Sequence, residues 1–256
     1  MTLELDPENE QSDPNEITLE NEEMSEETWA NSYIDNTAYL AMLSEIQSWA
    51  LWSLGLGAAH LIASGLLSPS WGITLLLVAL GSLIYKEAAM FMVYAVTMVW
   101  VGLSNLIYSG NIFWLGFGLL QLYLSYRLYR KYKYYTAVEQ DYRLSSTPHT
   151  TVEELKPTRG ARSFPWISLA TGIFAVVIFA LGFFLTIAQM VISGPESLNN
   201  TLGVFAIAGE AAIVLSVLSL ATGVAAIFAK FRYKLASWAG TIISAILLIA
   251  IILLSL

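Results

Sequence analysis

From Gln47 onward the chain alternates long apolar stretches with short polar interruptions. Seven of those stretches approach the length a bilayer demands, about 20 residues at 1.5 Å each for a hydrocarbon core of about 30 Å. They cover residues 47–67, 71–85, 88–108, 112–128, 166–192, 202–229 and 238–254. Turn residues separate most of them: Ser68-Pro69-Ser70, Ser109-Gly110-Asn111 and Gly194-Pro195-Glu196. Connections this short make sequential segments antiparallel neighbours. The second stretch is short, and Lys86 at its end can reach outward along its aliphatic stem so that the helix sits shallow.

Ahead of these stretches the pattern is different. Residues 1–24 are rich in Glu, Asp, Asn and Pro, with isolated Leu and Ile that follow no period. Such a stretch cannot bury enough surface to offset chain entropy, and it is predicted to be a disordered acidic tail. It lacks the basic and apolar regions of a secretory signal peptide. In residues 25–45, Trp29, Tyr33, Leu40, Leu43 and Ile46 at its edge recur at helical spacing behind a possible Ser25 cap, which predicts an amphipathic helix lying in the membrane interface. The expected architecture is thus an all-α polytopic membrane protein with seven transmembrane helices in a 4+3 arrangement. A four-helix half spans 46–128, a basic linker 129–164 and a three-helix half 165–256.

Charge orients this architecture. Of the 20 acidic residues, 13 precede Gln47, whereas none of the 12 Lys and Arg precedes Lys86. The net charge of -8 therefore describes an acidic tail joined to a mildly basic body. With seven spans, Lys86, the basic residues of 127–162 and those of 230–234 all fall on one side. Basic loops face the cytoplasm, so the N-terminus is expected inside and the C-terminus outside. A cell membrane, with a bacterial cytoplasmic membrane preferred, is the expected location.

Composition removes many chemistries. The chain has no cysteine and two histidines, His60 and His149, so disulfides, thiolate metal sites and a His-rich metal site are excluded. No lysine lies in the middle of any stretch, which excludes retinal attachment. There is no His-Glu-x-x-His, no phosphate-binding glycine loop and no serine with a plausible base; the chain is not expected to be an enzyme.

What remains is a small set of intramembrane polar groups. Glu210 is the one acidic residue well inside a stretch, and an ionisable group in lipid faces a bundle interior or a cavity. His60 follows Gly57-Ala58-Ala59; it suits a hydrogen bond across a helix interface, with a haem or chlorophyll ligand as the alternative. By segment position both lie roughly 10–12 Å below the outer face. Asn105 and Gln189 lie near the same face and Gln121 near mid-membrane. Arg127, Arg130, Lys131 and Lys133 interleave with tyrosines where the fourth stretch leaves the membrane, a pattern that suits lipid headgroups. Small residues at four-residue spacing (Ala221, Ala225 and Ala229; Ala236, Gly240 and Ser244; Ser168 and Gly172) let helices pack closely, within the chain or against a partner or second copy.

The sequence favours a non-catalytic accessory or scaffold subunit of a larger membrane complex, with no cofactor and no nucleic acid. The rival expectation is a small-solute transporter or channel with a polar site around Glu210 and His60.

Overall fold

The computed structural model describes the backbone of residues 14–62, 69–108, 112–146, 158–193, 198–229 and 233–255, and the side chains of residues 36–62, 70–107, 112, 115–146, 158–192, 202–229 and 233–254. These residues form seven helices and no strand: α1 (Pro14–Ile62), α2 (Pro69–Ile84), α3 (Ala89–Tyr108), α4 (Ile112–Ser145), α5 (Arg159–Ser193), α6 (Leu198–Phe228) and α7 (Lys234–Ser255). Four of them are long and apolar enough to cross a membrane, α3, α5, α6 and α7, while α2 is apolar but shorter. Proline opens α1 and α2, where its missing N–H costs nothing.

The two amphipathic boundaries expected from the sequence move. No separate interfacial helix occupies 25–45, and 14–24 is not a coil: α1 runs unbroken for 49 residues. The physical reason is an uninterrupted run without Gly or Pro between Pro14 and Gly55, so nothing ends the helix once it starts. Residues 1–13 lie outside the described residues. The linker at 129–164 is likewise shorter than its polarity suggests. α4 continues to Ser145 and α5 begins at Arg159, because no Gly or Pro occurs between Gly118 and Pro148. The rest of the linker, residues 147–157, lies outside the described residues.

The two prolonged helices pack on each other as a stalk. Tyr39 of α1 stacks on Tyr142 of α4 with centroids 4.0 Å apart and rings nearly parallel. Lys131 of α4 pairs with Glu45 of α1. Met42 and Ile46 are fully buried beneath these contacts, whereas Leu40, counted on the apolar stripe, is exposed. Of the rest of that stripe, Ile46 is buried and Leu43 packs against the same core, while the side chains of Trp29 and Tyr33 lie outside the described residues.

At the centre of the molecule is α3. Every residue from Ala88 to Ala95 is buried, a helix apolar all round and covered all round. Of its membrane-length window 67% is buried, against 17% for α5. One core cluster includes Met42, Leu75, Phe91, Tyr94, Leu128, Phe164 and Ala225, so the two halves share it. α6 packs on α5 and α7 and also reaches α2 and α3.

Reciprocal glycines set two of the hairpins. A Cβ on Gly57 would come within 2.9 Å of the Gly72 carbonyl oxygen, and one on Gly72 within 2.8 Å of the Gly57 oxygen. The α3/α4 hairpin repeats the device, with Gly102 and Gly118 at 3.0 and 2.8 Å. Such close backbone approach is how helices associate where both lipid and side chains are apolar. In the three-helix half, Ser168 Oγ donates to the Ser219 carbonyl at 2.8 Å, and Ser219 Oγ donates to the Ser168 carbonyl at 2.6 Å and to the Gly240 carbonyl at 3.1 Å. The small-residue stripes are consumed here: Ser168, Ala221, Ala225 and Ser244 are buried within the chain.

Candidate functional site

The start of α2 brings Glu210 and His60 together on one turn. The Ser70 N–H donates to Glu210 Oε2 at 3.2 Å, and Trp71 meets the His60 ring edge-on with centroids 6.2 Å apart. α2 has 16 residues, about 24 Å at 1.5 Å each, less than a hydrocarbon core of about 30 Å. Its first N–H groups have no intrahelical acceptor, and its first turn carries no acidic residue. Glu210, half-buried on α6, supplies an acceptor at the positive end of α2.

His60 is 6% exposed. Its Nδ1 lies 2.7 Å from the Leu56 carbonyl, and a carbonyl only accepts, so Nδ1 carries the proton. Nε2 is buried with no hydrogen-bond partner among the described residues. The backbones of α1 and α2 already touch at Gly57 and Gly72, one turn away. A haem or chlorophyll ligated at Nε2 would need space that the described residues fill, since this atom is enclosed.

Asn105 and Gln121 form a second, separate polar pair: Asn105 Nδ2 donates to Gln121 Oε1 at 2.8 Å across α3 and α4, and both residues are buried. Asn105 Oδ1 has no partner among the described residues. His60 and Asn105 occupy matching places, each three residues past the glycine of its hairpin crossing. One turn beyond a close crossing two helices diverge and leave room for a polar side chain. Gln189 is half-buried on α5, which packs on α6 and α7. No hydrogen bond joins it to Glu210, His60 or Asn105 among the described residues.

Two further glutamates sit at the basic end and repeat the role of Glu210. Glu87 Oε1 accepts from the Gly160 N–H at 2.7 Å, beside the Thr158 hydroxyl that accepts from Ala161 at 3.0 Å. Together they cap α5. Glu139 Oε2 of α4 accepts from the Ala88 N–H at 2.8 Å, where α3 begins. Each of the three carboxylates therefore closes the N-terminus of a helix to which it does not belong, Glu210 and Glu139 from α6 and α4 and Glu87 from the α2/α3 connection. Spacing along the chain does not reveal this, because the partners are 51, 73 and 140 residues apart; the lack of acidic residues in the first turns of α2, α3 and α5 is no guide either, since α4, α6 and α7 share it.

Burial pushes the Glu139 carboxyl above the ordinary carboxylate value of 4.5; the Ala88 N–H draws it down, Glu87 raises it and Arg143 lowers it. The same two carboxylates, with burial first, raise the Tyr39 hydroxyl. A raised carboxyl makes the folded state bind more protons than the unfolded one between the two values. This contribution to stability is complete below the unfolded value and is lost as pH rises through the raised native value. Glu139→Gln keeps an acceptor for Ala88 and does not titrate. The difference in melting temperature, wild type minus Glu139→Gln, is expected to fall as pH rises through this window. Parallel melting profiles for the two proteins would contradict it.

The headgroup candidates divide. Lys131 turns inward to Glu45, whereas Arg127, Arg130 and Lys133 are exposed. Lys133 lies over the Tyr129 ring at 4.9 Å. Among the described residues no group of three His, Asp or Glu is placed to hold a metal ion. Comparison with protein-family models, curated proteins and solved structures found no match.

Proposed function

We propose that this chain is a seven-span, non-catalytic membrane protein that acts through contacts, as an accessory or scaffold subunit of a larger membrane complex. The observation that carries this reading is the use made of its polar interior. Glu210 closes the start of α2, Glu87 and Glu139 close α5 and α3, and Asn105 is joined to Gln121. Groups that would line a transport path are instead engaged in holding helices to one another.

The surface left for a partner is α1. It packs on α2 and α4, and its outer face carries Ser48, Gly55, Ala58 and Ala59 between Leu51 and Trp52, all exposed. A shallow apolar groove of about 320 Å³ lies between Leu51, Trp52, Gly55 and Leu56. The exposed face of α5, by contrast, is built of Ile173, Phe174, Val177, Leu181, Phe184 and Leu185, bulky side chains that suit lipid. Small residues suit another helix. Gly55→Leu, where a side chain meets nothing within 4 Å, is expected to leave the chain folded and release a stoichiometric partner seen by mass spectrometry after mild-detergent purification. A wild-type chain that purifies alone from its native membrane would count against the subunit reading.

In the proposed topology α1, α2 and α4 join the four long apolar helices as spans. The N-terminus is cytoplasmic and the C-terminus outside, in a bacterial cytoplasmic membrane. Supporting this, contacts gather the basic residues at one end: Arg159 lies over the Tyr85 ring, Tyr85 meets Phe164, and Trp166 meets Tyr233 beside Lys234. Since the chain has no cysteine, single cysteines at the exposed Ser146 and Ile62 test the topology with impermeant maleimide: Ile62→Cys is expected to label in intact cells and Ser146→Cys only after permeabilisation. The rival reading, a transporter around Glu210 and His60, is favoured by one observation, the enclosed and unpartnered His60 Nε2.

A further inference from the structure

Where α4 emerges from the apolar body, one of its faces is basic and aromatic and is covered by nothing among the described residues. Tyr123, Tyr126, Arg127, Arg130, Lys133 and Tyr134 recur at three- and four-residue steps and are all exposed. We propose that this face binds the phosphate of anionic phospholipid headgroups, with Arg127, Arg130 and Lys133 as the charges and the flanking tyrosines seated at headgroup depth.

Three observations carry it. The first is charge: Arg127, Arg130 and Lys133 form no ion pair among the described residues, because the carboxylates nearby are directed elsewhere. Glu45 takes Lys131, Glu139 takes the Ala88 N–H and Glu87 takes the Gly160 N–H. A face left positive in a chain of net charge -8 is complementary to an anionic surface. The second is position. Leu115, Leu119 and Leu120 continue the exposed face toward the apolar end of α4, so the basic residues begin within two turns of a lipid-facing surface. Tyrosines prefer that boundary. The third is geometry: Arg127 and Arg130 are one turn apart on the same face, so two guanidinium forks can reach one phosphate, the pairing guanidinium favours.

This inference rests on the reading of α4 as a membrane span. A cysteine at Leu119 tests that separately: protection from aqueous maleimide in membranes supports the span, and full labelling overturns both the span and the lipid site. The lipid site is then tested on the full chain by native mass spectrometry from micelles holding equal phosphatidylglycerol and phosphatidylcholine. The wild type is expected to retain phosphatidylglycerol preferentially, and the preference is expected to fall roughly a hundredfold in Arg127→Gln/Arg130→Gln/Lys133→Gln. Lys86→Gln/Lys234→Gln, which changes charge at the same end but off this face, keeps it. Equal retention of the two lipids by the wild type overturns the proposal without any variant. An unchanged preference in the triple variant overturns it as well, and displacement of the lipid by millimolar inorganic phosphate reassigns the face to a soluble anion.

Discussion

Gly240→Ala is expected to prevent the three-helix half from assembling. A Cβ at Gly240 would lie 2.5 Å from the Ser168 carbonyl carbon and 2.6 Å from its oxygen. These are backbone atoms and cannot swing aside. The Ser168 backbone is further pinned by the two reciprocal bonds with Ser219, and Ser219 also reaches the Gly240 carbonyl. To admit one methyl group, α7 has to withdraw from α5 and α6, leaving buried hydroxyls without acceptors. Overpacking costs about 1–3 kcal/mol and each buried hydroxyl left unsatisfied about 1–3 kcal/mol. At roughly 2–4 °C per kcal/mol for a chain of this size, the melting temperature should fall by about 10 °C or the protein should fail to purify. Gly203→Ala provides the comparison, since a Cβ there meets nothing within 4 Å. Thermal denaturation of the two variants in the same detergent decides the matter. Equal melting would mean that α7 is not held by this contact.

Both glycines lie in apolar helices and look alike in the sequence, which shows where legibility ends. Helix count and approximate position follow from hydropathy, because a bilayer demands about 20 apolar residues per crossing. Which face of a helix meets lipid and which meets protein does not follow, because lipid tails and core side chains are equally apolar. The run from Ala88 to Ala95 reads as one more lipid-compatible segment, yet it is wholly enclosed. Ile173 to Leu185 reads the same and is largely exposed. Polarity misleads in the opposite direction along 129–145. Charges there suggest a loop, but helix continuation is decided by the absence of Gly and Pro, and α4 runs on to pack against α1. Of the candidate polar residues, Glu210 and His60 each touch the first turn of α2, the one through the Ser70 N–H and the other through the Trp71 ring. Asn105 and Gln121 instead find each other across the α3/α4 crossing, through glycines that composition alone does not mark as partners.

Glu210 separates the two readings of the protein. If its function is to close α2, Glu210→Gln should retain most of the stability, because the amide oxygen still accepts from Ser70 and only the attraction to the helix dipole is lost, about 0.3–1 kcal/mol. Glu210→Leu removes the acceptor and leaves the start of a short helix unsatisfied in an apolar setting, at about 1–3 kcal/mol beyond that. The expected order of melting temperatures is therefore wild type, then Gln close behind, then Leu well below, with partner binding through α1 unchanged in the Gln variant. A transport site gives a different pattern. There the charge itself, cycling between protonated and ionised beside His60, does the work, and Gln is as damaging as Leu. Solute or proton flux into liposomes lost in Glu210→Gln at undiminished stability would overturn the subunit reading. Stability that follows acceptor rather than charge, with partner binding intact, ties Glu210 to the architecture and leaves α1 as the surface through which the protein acts.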